Sequence, residues 1–379
     1  MRPKTKADEK LLWELEGKKT IYPLDDFLKL SNLPFKMTIE LMLRIAHVGQ
    51  QATSYEEAQQ IIEKTSSLKI NDDTIRLVTN FIGKIVFEND TKKANQVMAL
   101  LDKGKLEFPD KKKKGVLYIE SDGVMLNTRQ KEDGSSWHEN KIGIIFSEEN
   151  IIPKNKSKGV APENRLPRRT IIKKGIATYL GSVQEFKKYF FATAIEMGYG
   201  KYEISIFLSD GAAWLRNLRK ELFLDSIFIL DFFHLAENVY KYAKAYFGVE
   251  PEKHKEWAKR ICELLKESKS DEVLAELKTH SLRSETDFNL ANYIIDNSDG
   301  IDYKHYISCG YHIGSGPIES SNKSVMQQRM NQPGMRWAEV IARYVLALRA
   351  KHKSDSWLTH VVLPVYEYFG EKYFSSNLP

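Results

Sequence analysis

From residue 116 the chain changes its hydrophobic period, and that change constrains the fold more than any other feature. G-V-L-Y-I-E-S-D-G reads as a strand of apolar and β-favouring residues closing in a turn at Asp122. W-H-E-N-K-I-G-I-I-F-S-E-E-N is a second strand and G-I-A-T-Y-L-G a third. S-V-Q-E-F-K-K-Y-F-F-A-T-A-I-E-M-G-Y-G follows as a helix with a glycine stop. E-I-S-I-F-L-S-D-G is a buried strand ending at Asp210, A-A-W-L-R-N-L-R-K-E-L-F a short helix, and S-I-F-I-L-D-F-F-H another strand. Three strands, helix, strand, helix, strand predicts an α/β core with a mixed sheet and flanking helices.

The flanks are written differently. Before residue 103, F-K-M-T-I-E-L-M-L-R-I-A-H-V-G-Q and S-Y-E-E-A-Q-Q-I-I-E-K-T-S carry apolar residues at three- and four-residue spacing. A third helix is signalled from a cap at Asn71 or Asp72. Helices separated by a polar turn suit a helix-turn-helix DNA reader, and they suit a small helical bundle equally. Residues 103–115 read as a basic linker. Beyond His234 the text is helical for roughly seventy residues, until Y-H-I-G-S-G-P-I-E-S-S-N-K-S-V at 311–325.

Length and charge bound the class. With 379 residues the chain has room for two or three domains. No apolar run approaches the ~20 residues needed to cross a bilayer, so no membrane partner is expected. Cys262 and Cys309 alone rule out a disulfide scaffold and a multi-cysteine zinc cluster, and a reducing cytoplasmic setting fits best. The net charge of +6 is unevenly spread. Residues 151–175 hold Lys154, Lys156, Lys158, Arg165, Arg168, Arg169, Lys173 and Lys174 against one glutamate, and Lys111 to Lys114 form a second run. Solvated loops and a phosphate-facing surface both account for such runs, and charge alone does not choose.

Three acids stand where chemistry is done in sheets of this kind. Asp122 and Asp210 each end a strand in S-D-G. Asp-Gly is a common turn dipeptide, but strand four leads into a helix, where a hairpin is not called for. Open α/β sheets bind ligands at the carboxyl ends of their strands. In G-S-G-P-I-E-S, Pro317 suits the first helical turn and Glu319 falls where the helix dipole favours a carboxylate. A well-placed helix start is the plain reading. Together, three carboxylates would hold a pair of Mg²⁺ ions, with glycines leaving space for a phosphodiester.

The motifs S-D-G, S-D-G-A-A-W, I-L-D-F-F-H and G-S-G-P-I-E-S, followed by Q-R-M-N-Q-P-G-M-R-W, resemble those of bacterial insertion-sequence transposases of the ISKra type, within the Mutator-like superfamily of DDE transposases. The resemblance covers roughly residues 116–357. It implies a ribonuclease H-like core in two parts, 116–234 and 311–357. An all-α insertion domain would span 235–310, a helical DNA-binding domain 1–102, and a tail 358–379. Asp122, Asp210 and Glu319 correspond to the three catalytic, metal-binding acids, with Mg²⁺ as cofactor and Mn²⁺ as a substitute. Asp231 and His234 match the accessory Asp-x-x-His signature. The implied reaction is cleavage of DNA at element ends and transfer of the 3′-OH into target DNA, by a dimer or larger assembly at the bacterial nucleoid.

Several residues keep two readings. A lone histidine after an apolar strand commonly serves packing, while at Asp-x-x-His spacing it can orient a site. Arg329 and Arg336 are candidates to pair with phosphates or to cap helix ends, and Trp337 to fill a core or touch a distorted base. The eight basic residues of 151–175 are candidates for phosphate contact. Two other functions compete with transposition: a structure-selective ribonuclease H-like nuclease or resolvase, and a DNA-binding regulator with an idle core.

Overall fold

The computed structural model describes residues 30–129, 136–153, 169–248, 251–280 and 289–371. Contacts divide the chain into two units. The first takes residues up to 91 with 328–352 and 356 onward; the second takes 92–327 with 353–355. The segment 311–357, read from sequence as one stretch, is therefore shared between them.

The first unit is helical. Its N-terminal part holds α1 (Ile39–Gln51), α2 (Tyr55–Thr65) and the opening turns of α3 (Asp72–Asp102). Each start carries the cap its sequence spells. Thr38 accepts from Leu41 N–H, Ser54 from Glu57 N–H at 3.0 Å, and Asn71 Oδ1 from Thr74 N–H at 2.8 Å. Met42, Ile45, Ile75, Val78 and Ile82 form a core with Leu348, Val361, Val365 and Phe369. A buried arginine, Arg349, finishes the carboxyl end of α1 by donating to the Gln50 carbonyl, and a second, Arg329, donates to the Thr53 carbonyl in the turn between α1 and α2. A cation at that carboxyl end offsets the negative end of the helix dipole. Burial, and the neighbouring Arg329 charge, push Arg349 down to about 10.

The second unit carries a five-stranded mixed sheet in the order β5-β2-β1-β6-β7. The strands are β1 (Lys113–Asn127), β2 (Trp137–Ser147), β5 (Gly175–Leu180), β6 (Tyr202–Ser209) and β7 (Ile227–Leu230), with a small hairpin of β3 (Ile151–Pro153) and β4 (Arg169–Ile171). β1, β2 and β5 are mutually antiparallel, whereas β6 and β7 run parallel to β1. Val116, Leu117, Tyr118 and Ile119 are all buried, as befits a central strand covered on both faces. Helices α4 (Val183–Glu196) and α5 (Ala213–Leu222) connect the later strands. This sheet with flanking helices is compatible with a ribonuclease H-like core.

One expectation is corrected here. Asp122 and Gly123 do not turn the chain: β1 runs on to Asn127, with Asp122 opposite Ile142 and Asn127 opposite Trp137. The parallel pairing with β6, by contrast, stops at Glu120 opposite Leu208. Asp122 thus lies just beyond the point where its parallel neighbour leaves the sheet.

After β7 come α6 (Phe232–Phe247), α7 (Pro251–Lys266), α8 (Ser270–Thr279), α9 (Leu290–Asp296) and α10 (Tyr303–Ser308). Their tyrosines satisfy carbonyls at the strand ends: Tyr293 Oη donates to the Asp210 carbonyl at 2.6 Å and Tyr303 Oη to that of Leu230 at 3.0 Å. No described helix is long and apolar enough to cross a membrane.

Candidate active site

Parallel strands leave a sheet at the same edge, so β1, β6 and β7 deliver Asp122, Asp210 and Asp231 to one side. Asp210 follows the last residue of β6. Its Oδ1 accepts from Ala212 N–H at 2.9 Å, across Gly211 at φ +77°. A side chain at 211 would be strained in that conformation and would also meet Asn297 and Leu230. The glycine of S-D-G-A-A-W is thus demanded by the turn from strand into α5.

Asp231 caps α6. Its Oδ1 accepts from Phe233 N–H at 2.7 Å and from His234 N–H at 3.4 Å. Its Oδ2 accepts from the backbone N–H of Ser315 at 3.1 Å and from the Ser315 hydroxyl. The carboxyl is wholly buried, and these four donors occupy it. The same loop is held by the backbone of Phe232, whose N–H donates to the Ile313 carbonyl at 2.8 Å.

That loop leads into α11 (Gly316–Asn322), with Pro317 in its first turn. Glu319 is exposed, and its carboxylate has no hydrogen-bond or ion-pair partner among the described residues. One turn further on, Asn322 Nδ2 donates to Asp122 Oδ2 at 2.5 Å, while Asp122 Oδ1 accepts from Gly123 N–H at 2.7 Å. Of the two glycines of the loop, Gly314 has a packing reason. A Cβ at Gly314 would lie 2.4 Å from the ring of Phe233, so it is Phe233 that claims this space. Gly316 has no heavy atom within 4 Å of such a Cβ.

Among the described residues, Asp231, His234 and Glu319 offer ligand atoms that all lie within 4.8 Å of one another. Asp122 and Asp210 stand beside this group. Burial raises the Asp122 carboxyl above its ordinary range, the Asp210 charge adds to that rise, and His234 counters it. Two carboxylates and an imidazole as close as those of Asp231, Glu319 and His234 could hold a divalent cation, with Asp231 already accepting from its own four donors.

The sequence matches the uncharacterised protein family UPF0236 over residues 8–350. The chain belongs to that family. The matched span of this UPF0236 protein takes in all five residues just described. Among solved structures, it is similar to the Drosophila P element transposase strand transfer complex, at 8% identity and a TM-score of 0.28, over 97% of this chain and 85% of that chain. No curated protein matches it.

Of the expected phosphate contacts in this UPF0236 protein, Lys154, Lys156, Lys158, Arg165 and Arg168 lie outside the described residues. Arg169, Lys173 and Arg336 are exposed. Arg329 and Trp337 are not presented to any partner. Arg329 is 1% exposed and sits over the rings of Tyr55 and Trp337 at 4.7 and 5.1 Å. Trp337 is buried and donates its indole N–H to the Met330 carbonyl at 3.0 Å. Both are packing residues of the helical unit, and Arg329 bonds the turn between α1 and α2. Lys174 is half-buried and donates to Ser321 Oγ at 2.8 Å, so it anchors α11. Sequence reasoning missed Ser315 and Asn322, which tie that segment to the acids, and Glu120, which lies buried on β1 two residues before Asp122.

Proposed function

We propose that this UPF0236 protein is a DDE-type DNA transposase of the ISKra-like, Mutator-related kind. It cuts DNA at element ends and joins the freed 3′-OH to target DNA. The observation that supports the reading is the group of Asp231, His234 and Glu319, whose ligand atoms lie within 4.8 Å of one another, with Asp122 bonded to Asn322 one turn after Glu319. In this reading the carboxylates of Asp122, Asp210 and Glu319 bind two Mg²⁺ ions, for which Mn²⁺ can substitute. When bound, such ions activate the attacking oxygen and stabilise the leaving one.

The chain's own residues have the remaining tasks. Asp122 lies on the strand beside the one that ends at Asp210, and it is tied to α11, the helix of Glu319, through Asn322. Asp231 and Ser315 hold the start of α6 against the loop that carries Glu319, which keeps His234 and Glu319 together. Exposed Arg169, Lys173 and Arg336, with the basic residues of 154–168, take DNA phosphates. The helices before residue 103 recognise the element end. Two ends are paired by a dimer or larger assembly.

The test uses the purified full chain, Mg²⁺ or Mn²⁺, and labelled duplexes carrying the DNA that flanks its gene. Nicking and strand joining are expected, and each of Asp122→Ala, Asp210→Ala and Glu319→Ala should lower both by more than about 100-fold while DNA is still bound. Nicking without any joining would identify a nuclease. Binding without cleavage under either metal would identify a regulator.

A further inference from the structure

Three residues of β1 that share one face grip the segment bearing Glu319. Side chains of a strand alternate, so Tyr118, Glu120 and Asp122 point the same way. Tyr118 Oη accepts from His312 N–H at 3.3 Å, and the two rings stack at 4.8 Å. Glu120 Oε2 accepts from Ile318 N–H at 3.0 Å. Asp122 Oδ2 accepts from Asn322 Nδ2. Residues 312, 318 and 322 are thereby fastened in order along 118, 120 and 122.

The middle fastening is the unusual one. Glu120 is fully buried, its Oε1 has no hydrogen-bond partner, and it lies among the charges of Asp231, Lys174 and Glu319. A buried acid with a half-used carboxyl is costly, and an apolar residue would pack the same space more cheaply. What the carboxyl supplies is an acceptor for the peptide N–H directly before Glu319. That N–H is in the first turn of α11, where helical partners are lacking, and it is otherwise shared only with the Ser315 carbonyl.

We infer that Glu120 is a positioning residue, setting the place of Glu319 through the Ile318 N–H. This inference rests on the proposed reading of Glu319 as a metal-binding acid. Lys174, bonded to Ser321 on the same helix, holds the neighbouring turn and supplies the countercharge. In this role Glu120 acts through the Ile318 N–H and not by contact with substrate or metal.

The experiment has two arms, run on full-length wild type, Glu120→Gln, Glu120→Ala and Glu120→Met. The methionine variant matches the length of glutamate without its acceptor and stands in should the alanine variant fail to fold. Hydrogen exchange of the peptide 311–325, followed without metal, should be unchanged in Glu120→Gln and faster in Glu120→Ala and Glu120→Met. The Mg²⁺ concentration giving half-maximal nicking should be close to wild type in Glu120→Gln and raised about 10-fold or more in the other two. Unchanged exchange in Glu120→Ala and Glu120→Met overturns the inference, because the fastening then does not exist. Faster exchange with an unchanged Mg²⁺ requirement overturns it too, leaving Glu120 a structural peg. A glutamine variant as poor as alanine shows that charge, not the acceptor oxygen, matters, and is equally fatal. A wild type with no Mg²⁺-dependent nicking sinks the reading of the site and this role with it, whereas a responsive wild type with an indifferent Glu120→Ala sinks this role alone.

Discussion

Ser315 gives both its backbone N–H and its hydroxyl to a single oxygen of Asp231, 84 residues away in the chain. The other oxygen of the same carboxyl caps α6 at Phe233 and His234. One buried side chain thus secures the end of β7, the start of α6 and the loop before Glu319. Capping accounts for the aspartate of Asp-x-x-His, whose Oδ1 accepts from the second and third helical N–H groups, but it makes no demand on the histidine side chain.

That arrangement predicts strong coupling. Asp231→Ala should destabilise the protein by about 3 kcal/mol, because it strands buried donors as well as removing a cap. Ser315→Ala should cost about 1 kcal/mol. In a double-mutant cycle followed by denaturant unfolding, the two losses should fall short of additivity by about 1 kcal/mol. Additive losses would mean that the pair is not formed.

The glycines of the Glu319 loop should differ in tolerance. At Gly314 an added methyl meets the Phe233 ring at 2.4 Å, so Gly314→Ala should cost about 1 kcal/mol and regain it in a Phe233→Ala background. Gly316→Ala meets nothing within 4 Å and should be neutral or stabilising by up to about 0.5 kcal/mol. Thermal melts of the three variants would decide this. Equal effects at 314 and 316 would contradict the packing described.

Glu120 should leave a signature in the pH dependence of stability. Burial pushes its carboxyl well above the carboxylate range, with the Ile318 N–H opposing the rise and Asp231 adding to it. The unfolded chain titrates near about 4.3. A raised folded value means that the unfolded state gives up its proton first. Stability is therefore greatest below the unfolded value and declines as pH climbs through the folded one. Glu120→Gln removes this loss, so its melting temperature should gain on wild type between pH 4 and pH 8. A constant difference across that range would rule the shift out.

Arg329 and Arg336 should part company in DNA binding. Arg329 is buried against Tyr55 and Trp337, and Arg329→Met should lower stability by about 2 kcal/mol without changing the salt dependence of binding. Arg336 is exposed, and Arg336→Ala should reduce the slope of log K against log salt by about 1 if it meets a phosphate. Titrations at several salt concentrations would show both.

Much of the sheet was legible, because strands and helices differ in period and the order of elements restricts how they pair. The cap of α3 was plain from residue type, at Asn71 or its neighbour Asp72, and Asn71 supplies it. Other features were hidden for physical reasons. Asp-Gly signals a turn so strongly that β1 was expected to end at Asp122, and only the pairing with β2 carries it further. Glu120 sits in an apolar run, where a single acid looks like the polar side of a half-exposed strand; its spacing of two from Asp122 was the available clue to a shared face. The burial of Arg329 depends on aromatic partners distant in sequence, Tyr55 above all, so no local pattern announces it. The small β3–β4 hairpin was likewise unannounced, having only three residues in each strand.

The fastening of 312, 318 and 322 along β1 has a consequence for heritable change at this locus. Loss of a single codon at 116 or 117, past the irregular register between Lys113 and Val116, would, with pairing retained, reverse which way every later side chain of the strand points. Tyr118, Glu120 and Asp122 would then turn to the far side together. Loss of two codons would keep their direction but slide them by about 6.8 Å, roughly one fastening along. Codon number in that short stretch is accordingly as constrained as the acids themselves, and a survey of natural insertions and deletions should find them elsewhere.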